Sequence, residues 1–347
     1  MENFFYYTLS IMISNIRSIS AMSECISAKD TYKKIPIHSS LSHLLTFHTM
    51  LNRILLFGLT NIAIIAIISI IMVILSRVFG VNLDGNSFVG MAISSAIIGF
   101  SGAFISLLLS RWSAKKMYNI VLIDQSNIEQ ASKKEQAVYA LIEKLAMQNT
   151  IKMPEVGIYV STDPNAFATG RSKNTSLVAV STALLEECSQ DEIDGVIAHE
   201  MAHILNGDMV TMTLLQGVLN TFVVFFSRVL ARIIDEATDG KLWWLGYQAV
   251  YLLLQVLLGM GATLIVMKFS RHREYRADLG SAHAVGKAKM ISALKRLQKL
   301  YPETVQAGTA GKMSTFQISS GEKLSLFASH PSLESRIQAL ESNYQLP

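Results

Sequence analysis

The chain has 347 residues, of which 50% are hydrophobic and 16% are charged, whereas ordinary soluble domains carry about 25% charged residues. This composition excludes a disordered or low-complexity chain and indicates a membrane protein. The two cysteines exclude a disulfide scaffold, and the net charge of +4 gives no support for a nucleic-acid partner.

Residues 1–49 precede the first long apolar run. Glu2 replaces the basic start of a signal peptide and Arg17 interrupts the apolar stretch, so we expect no export signal here. The three histidines of this stretch have no helical ligand spacing, and we do not expect them to bind metal. We interpret residues 1–49 as an extension of doubtful function that the protein can lose.

Two uncharged runs, Ile54–Ser76 and Phe88–Leu109, follow closely on one another. Each is long enough to cross a hydrocarbon core of about 30 Å as a helix. Arg53 precedes the first run and Arg111 follows the second, so the excess of positive charge places both outer ends in the cytoplasm. Residues 50–110 are therefore predicted to form a transmembrane hairpin.

Residues 111–208 have the composition of a water-facing segment. Lys133–Met147 has helical patterning, and Val156–Val160 and Ser176–Val180 are typical of strands. We predict that residues 111–208 form a cytoplasmic part of the protein that contains a helix and a small sheet.

The segment AHEMAHILNGD places His199 and His203 four positions apart, and a capping-box pattern from Ser189 to Glu192 predicts a helix there. Two neutral imidazoles on one helical face can reach one zinc ion at about 2.0–2.1 Å, and Glu200 can act on a water molecule beside the metal. The pattern alone also fits two half-buried histidines beside a surface glutamate. A metal site therefore requires a third ligand elsewhere in the chain.

Residues 209–269 are predicted to form a second transmembrane hairpin. Trp243–Phe269 is a strong apolar run that starts at an interfacial tryptophan pair. Met209–Ser227 contains several polar residues, so its composition alone leaves open whether it crosses the bilayer. Both runs must cross or neither does, because metal ligands lie on both sides of the pair in the sequence.

The third ligand is predicted in SRHREYRADLGSA, on the helical continuation of the last span. Glu274 can supply a carboxylate ligand, and Asp278, four positions later, can orient a ligand histidine. The rest of residues 270–347 is predicted to be helical and cytoplasmic, with Ala282–Leu300 as an amphipathic helix. Three ligands and an open fourth position predict one catalytic zinc ion per chain.

Five segments together resemble the gluzincin class and, within it, the HtpX family of heat-shock-associated, membrane-bound zinc metalloproteases of bacteria. The resemblance runs from Met50 to about Ile337. It rests on PNAFATG (Pro164–Gly170), VAVSTALL (Val178–Leu185), HEMAHILNGD (His199–Asp208), REYRAD (Arg273–Asp278) and SHPSLESRI (Ser329–Ile337). Family members begin near the first span, so residues 1–49 are an extension or a misplaced start.

The resemblance implies an integral membrane α+β protein, with a predominantly helical, zincin-like metalloprotease domain and a small β-sheet on about four transmembrane helices. It implies His199, His203 and Glu274 as zinc ligands and Glu200 as general base. It also implies an inner-membrane protein whose cytoplasmic catalytic domain degrades damaged or misfolded membrane proteins as part of the stress response. A homo-oligomer is left open.

Two further assignments concern the substrate. His330, in a His-Pro turn, is a candidate second donor to the oxyanion or a shield for the zinc, with Arg336 as a weaker donor; His330 equally suits a helix cap. Small residues after Pro164 predict a sheet edge that pairs with an extended peptide. This predicted substrate strand comprises Asn165, Ala166, Phe167, Ala168, Thr169 and Gly170.

Two other functions compete with a zinc endopeptidase. A catalytically silent membrane scaffold or chaperone could keep a structural zinc, but the intact Glu200 argues against it. A transporter would carry charged or broken helices at the middle of the membrane, and the first two apolar runs have none.

Overall fold

The computed structural model describes residues 66–78, 87–300 and 330–342, together with residues 62, 80, 81 and 83. Residues 1–49, which were interpreted as an extension, lie outside the described part. The chain forms two compact units. The helical unit contains the described residues up to 103 and residues 217–262, and the mixed unit contains residues 104–216, 263–300 and 330–342.

Among the described residues, three helices are long and apolar enough to cross a membrane: α2 (Phe88–Tyr118), α6 (Asp208–Ala237) and α7 (Trp244–Val285). They contain the predicted apolar runs 88–109 and 209–227 and all of the run 243–269 except Trp243, so these runs are confirmed as helices. The predicted first run lies partly outside the described residues, and its described part contains helix α1 (Ala66–Arg77). Large apolar side chains along all three long helices are exposed, as lipid-facing side chains would be.

Within the helical unit, α2 and α6 approach each other closely at small residues. A Cβ atom added to Gly99 would lie 2.4 Å from the backbone nitrogen of Thr221. Arg228 on α6 also donates a hydrogen bond of 2.7 Å to the Ser94 hydroxyl on α2. Close backbone approach and polar contacts between helices are the usual means of helix association in lipid, where the hydrophobic effect contributes little.

The mixed unit contains a four-stranded sheet in the order β1-β2-β4-β3. Its strands are β1 (Val121–Ile123), β2 (Glu155–Tyr159), β3 (Ala166–Ser172) and β4 (Thr175–Ser181). The two predicted strands correspond to β2 and β4 within one residue at each end. These central strands pair in parallel, and β3 pairs antiparallel with β4, which leaves β3 at one edge of the sheet.

Two helices cover the sheet and form the core of the mixed unit with it. They are α3 (Lys133–Gln148) and α5 (Gln190–Asn206). The predicted capping box at the start of α5 is present: the Ser189 hydroxyl accepts from the Glu192 N–H, and the Glu192 carboxylate accepts from the Ser189 N–H. Ile193 and Ile197 on α5 are fully buried, so this helix is fixed rigidly against the sheet.

The remaining helices of the mixed unit are α4 (Thr182–Glu187), α8 (Lys287–Leu300) and α9 (Leu333–Glu341). The predicted amphipathic helix Ala282–Leu300 is interrupted at Gly286, where φ is +102°, so its first residues belong to α7. Helix α7 thus continues without a break from its apolar first part to the segment that carries Glu274 and Asp278.

Candidate metal centre and active site

His199 and His203 lie one turn apart on the rigid helix α5, with both side chains on the same face. Their Nε2 atoms are 3.1 Å apart and their rings stand nearly perpendicular, at 87°. The spacing of four residues therefore brings two metal-ligating atoms to one point.

Glu274 on α7 completes a triangle of ligand atoms. Its Oε2 lies 3.5 Å from Nε2 of His199, and its Oε1 lies 3.4 Å from Nε2 of His203. The side chain is 2% exposed, and its Oε1 has no hydrogen-bond partner among the described residues. A buried carboxylate oxygen without a partner is costly unless a cation satisfies it.

The triangle fits a zinc ion. Ligand atoms about 2.0–2.1 Å from a tetrahedral zinc lie about 3.3–3.4 Å from one another. The two Nε2 atoms are 3.1 Å apart, Oε2 of Glu274 lies 3.5 Å from that of His199, and Oε1 lies 3.4 Å from that of His203. One ligand atom from each residue lies within 4.8 Å of the other two. Among the described residues, these three form the one cluster of histidine, cysteine and acidic side chains close enough to share a metal. Two imidazoles and a carboxylate also suit zinc chemically.

Each histidine is held from behind by an aspartate. Nδ1 of His199 lies 2.9 Å from Oδ1 of Asp278, and Nδ1 of His203 lies 2.7 Å from Oδ2 of Asp208. A carboxylate at Nδ1 keeps the proton on that nitrogen and leaves the Nε2 lone pair free for a metal. Asp278 has the position that the sequence predicted for it, whereas Asp208 was not predicted.

The site stabilises positive charge on its histidines. Burial lowers the pKa of His203, but the hydrogen bond with Asp208 and the contact with Glu274 outweigh this effect and raise the value to about 9. Burial also lowers the pKa of His199, and its contacts with Asp278 and Glu274 again raise it overall. The same carboxylates would stabilise a bound cation, so the electrostatics agree with the donor geometry.

Arg336 on α9 fixes Asp278. Its Nε and Nη2 donate bonds of 2.8 and 2.6 Å to the two oxygens of that carboxylate, and its Nη1 lies 3.5 Å from Oε2 of Glu274. The guanidinium is buried, and such a two-pronged pair holds both partners in one orientation. Arg336, considered as an oxyanion donor from sequence, is thus already engaged by carboxylates.

Glu200 faces the edge strand β3. Its Oε2 accepts a hydrogen bond of 2.8 Å from the backbone N–H of Ala168. In the predicted substrate strand, Ala166–Gly170 belong to β3, and Asn165 precedes it and accepts from the Ser181 N–H. The sequence predicted Glu200 and this strand as parts of one site, but it did not predict the hydrogen bond between them.

His330 also reaches the site. Its Nδ1 lies 3.0 Å from Oε2 of Glu274, and the side chain is 58% exposed. The alternative role of His330 as a helix cap is wrong, because α9 is capped by the Ser332 hydroxyl, which accepts from the Ser335 N–H. His330 therefore lies where it can act on the contents of the site.

A cavity of about 400 Å³ opens onto these residues. One part of its wall is polar and includes the three ligand residues, Glu200 and Arg273; another part is apolar and includes Val196, Leu294 and Leu297. Asn165 and the first three residues of β3, Ala166–Ala168, also line it. The cavity therefore places the candidate metal site beside the edge strand β3, in a space suited to an extended peptide.

Residues 132–344 match the model of peptidase family M48. The chain belongs to this family. It is 45% identical over 297 residues to Protease HtpX of Idiomarina loihiensis, covering 84% of this chain and 99% of that one. It is also 46% identical over 292 residues to the Protease HtpX homolog of Neisseria meningitidis, covering 84% of this chain and 100% of that one.

The crystal structure of S. mikatae Ste24p has a similar fold, with a TM-score of 0.57 at 15% sequence identity. The match covers 84% of this chain and 66% of the Ste24p chain, just under two thirds of it. Family membership and the apolar helices make the protein a membrane-bound metalloprotease, as the sequence predicted. The predicted α+β fold on apolar helices is confirmed as well.

Proposed function

We propose that the protein is a zinc-dependent endopeptidase that cleaves misfolded or damaged membrane proteins in quality control. The observation that carries the chemistry is the triangle of His199, His203 and Glu274, whose separations suit one zinc ion per chain. Glu200 lies between the two histidines in the sequence and reaches the same cavity. A ligand triangle beside an acidic side chain in an open cavity is what metal-assisted hydrolysis requires.

When bound, zinc would polarise the scissile carbonyl and lower the pKa of a water molecule. Glu200 is positioned by the Ala168 N–H at its Oε2, and the carboxylate accepts the proton of the attacking water. It can then hand that proton to the leaving amine. Asp208 and Asp278 keep the two histidines in the tautomer that ligates through Nε2.

His330 is the proposed second donor to the negative oxygen that develops on the substrate. It lies 3.0 Å from Glu274, is largely exposed and lines the cavity. A donor at this point would act only when charge develops during the reaction, which is how such groups favour the transition state. Shielding of the metal by the same imidazole remains the second role open to it.

The substrate is proposed to bind along β3, with Asn165, Ala166, Phe167, Ala168, Thr169 and Gly170 providing backbone groups. This strand is at the edge of the sheet and lines the cavity beside Glu200. Pairing through the main chain gives affinity with little regard for side chains. Such binding suits clients that have in common only an unfolded chain.

We also propose the bacterial inner membrane as the location, with residues 111–208 and 270–347 in the cytoplasm. Residues 50–110 and 209–269 would form the two transmembrane hairpins, and residues 1–49 an extension. The basic residues Arg111, Lys115, Lys116, Arg271 and Arg273 flank the apolar helices on the side of the metal ligands. Positive charge at this side favours a cytoplasmic catalytic domain.

A scaffold with a structural zinc is the second candidate, and an activity measurement separates it from the protease. Glu200→Gln should fold and keep its zinc but lose at least about a hundredfold in casein hydrolysis, the scale of a general base's contribution. Exposed Glu186, also on a helix, gives the matched control Glu186→Gln. Equal turnover of Glu200→Gln and wild type would remove Glu200 from the mechanism, and a wild type without hydrolysis would favour the scaffold.

A further inference from the structure

Arg273 is a cationic side chain of the cavity to which neither the family's motif nor the proposed mechanism gives a role. Arg271, Arg273 and Arg276 are three basic residues that follow the apolar part of α7. Of these three, Arg273 alone lines the cavity, and Arg276 is exposed. Its position is therefore more specific than membrane orientation requires.

Part of the hydrogen-bonding capacity of Arg273 has no partner among the described residues. Its Nε is buried and has no hydrogen-bond partner, and its nearest charged atom among the described residues is Oε1 of Glu274, 3.9 Å away. The side chain is 24% exposed, so it is mostly removed from water. A buried N–H without a hydrogen bond is costly, and such a group in a native structure calls for a partner.

Arg336 provides the internal comparison. It lines the same cavity, but Asp278 accepts two short hydrogen bonds from it and Glu274 lies nearby. Arg336 is thus occupied in holding the site together. Arg273, with five donors and a single distant ion pair, is the arginine left to meet an acceptor that enters the cavity.

We propose that Arg273 binds a backbone carbonyl oxygen of the peptide substrate and so holds the chain opposite the pairing along β3. This proposal rests on the proposed function. A carbonyl is favoured over a substrate carboxylate, because a carboxylate entering here would also face Glu200 and Glu274. A backbone acceptor is also present in every peptide, which agrees with clients that share no sequence motif. Arg273 is thus a residue that positions the substrate.

Kinetics of Arg273→Gln and Arg273→Lys test the proposal, with Arg276→Gln as the matched control one helical turn away. With a fluorogenic casein-derived peptide, we expect Arg273→Gln to raise KM by about tenfold, the scale of a lost charged hydrogen bond, with a smaller change in kcat. Zinc content should stay at the wild-type level in all three variants. Arg276→Gln should behave as wild type.

Peptide binding gives a readout that does not depend on turnover. In the zinc-loaded Glu200→Gln background, the binding of labelled casein peptides is measured by anisotropy while one carbonyl oxygen at a time is replaced by sulfur, a weak acceptor. When Arg273 is present, sulfur at one position of the peptide should weaken binding. This weakening should be absent in Arg273→Gln. Sulfur would then mark the carbonyl that Arg273 contacts.

Three results would overturn the proposal. The first is loss of zinc in Arg273→Gln, which would make Arg273 a support for Glu274. The second is a wild-type KM in Arg273→Gln. The third is that the weakening of binding by sulfur persists in Arg273→Gln. Selective weakening of peptides with an acidic residue would assign Arg273 to a substrate carboxylate instead. Absence of hydrolysis by the wild type would reject the proposed function. The anisotropy measurement would still test whether Arg273 contacts a carbonyl of the bound peptide.

Discussion

At the scale of single residues, the site depends on how the outer nitrogens of its two histidines are held. Asp278 holds His199 and is itself fixed by two hydrogen bonds from Arg336, whereas Asp208 holds His203 from the first turn of α6. Both aspartates are about 2% exposed. Their charges therefore act on the imidazoles with little screening by water.

Asp208→Asn should weaken zinc binding by about tenfold to a hundredfold, because the variant loses the charge that raises the basicity of His203. Zinc affinity of the purified protein can be measured by competition with a chromophoric chelator. Asp239→Asn is the control, since Asp239 is exposed in the turn after α6. An unchanged affinity in Asp208→Asn would show that the hydrogen bond at Nδ1 does not support metal binding.

The contrast between Asp278 and Asp208 explains which site residues the sequence could reveal. Helical spacing of four residues related His199 to His203 and Glu274 to Asp278, so these pairs could be predicted. Asp208 lies five positions after His203, beyond Gly207, where φ of +71° ends the helix. Periodicity does not continue through such a turn. The pairing of Arg336 with Asp278, 58 positions apart, is a tertiary contact that no local pattern contains.

At the scale of elements, the edge strand β3 connects the sheet with the catalytic helix α5. The sequence predicted strands β2 and β4 from their apolar runs, because both are central and buried. It predicted Asn165–Gly170 as an edge strand on other grounds. The sequence AFATGRS of β3 is small and polar and only partly buried, but its small residues leave backbone groups accessible.

Ala168→Pro should abolish most peptide binding and hydrolysis while zinc content stays normal. Proline removes the N–H that donates to Glu200 and disturbs the strand edge, but it leaves the ligands intact. Ala168→Ser keeps the N–H and is the matched control. Normal peptide binding with lost turnover would mean that Ala168 only positions Glu200, and full activity would reject both roles.

At the scale of the whole molecule, the metal ligands constrain how the chain crosses the membrane. His199 and His203 precede α6, and Glu274 follows the apolar part of α7. Both helices are long and apolar enough to span. Composition alone left open whether α6 crosses the bilayer, because its sequence contains polar residues. The structure shows a helix of 30 residues, which is long enough to span.

Fusions of a reporter to truncated chains should place the catalytic residues in the cytoplasm and the turn between α6 and α7 in the periplasm. Two spanning helices return the chain to its starting side, and this return lets Glu274 meet His199 and His203. Alkaline phosphatase, which is active only outside the cytoplasm, should be inactive after residue 150 and active after Gly240. A fluorescent protein that matures only in the cytoplasm should give the opposite result at both positions. Phosphatase activity after residue 150 would show that the orientation is the reverse of the one predicted from the basic flanking residues. Inactivity after both positions would mean that α6 does not cross.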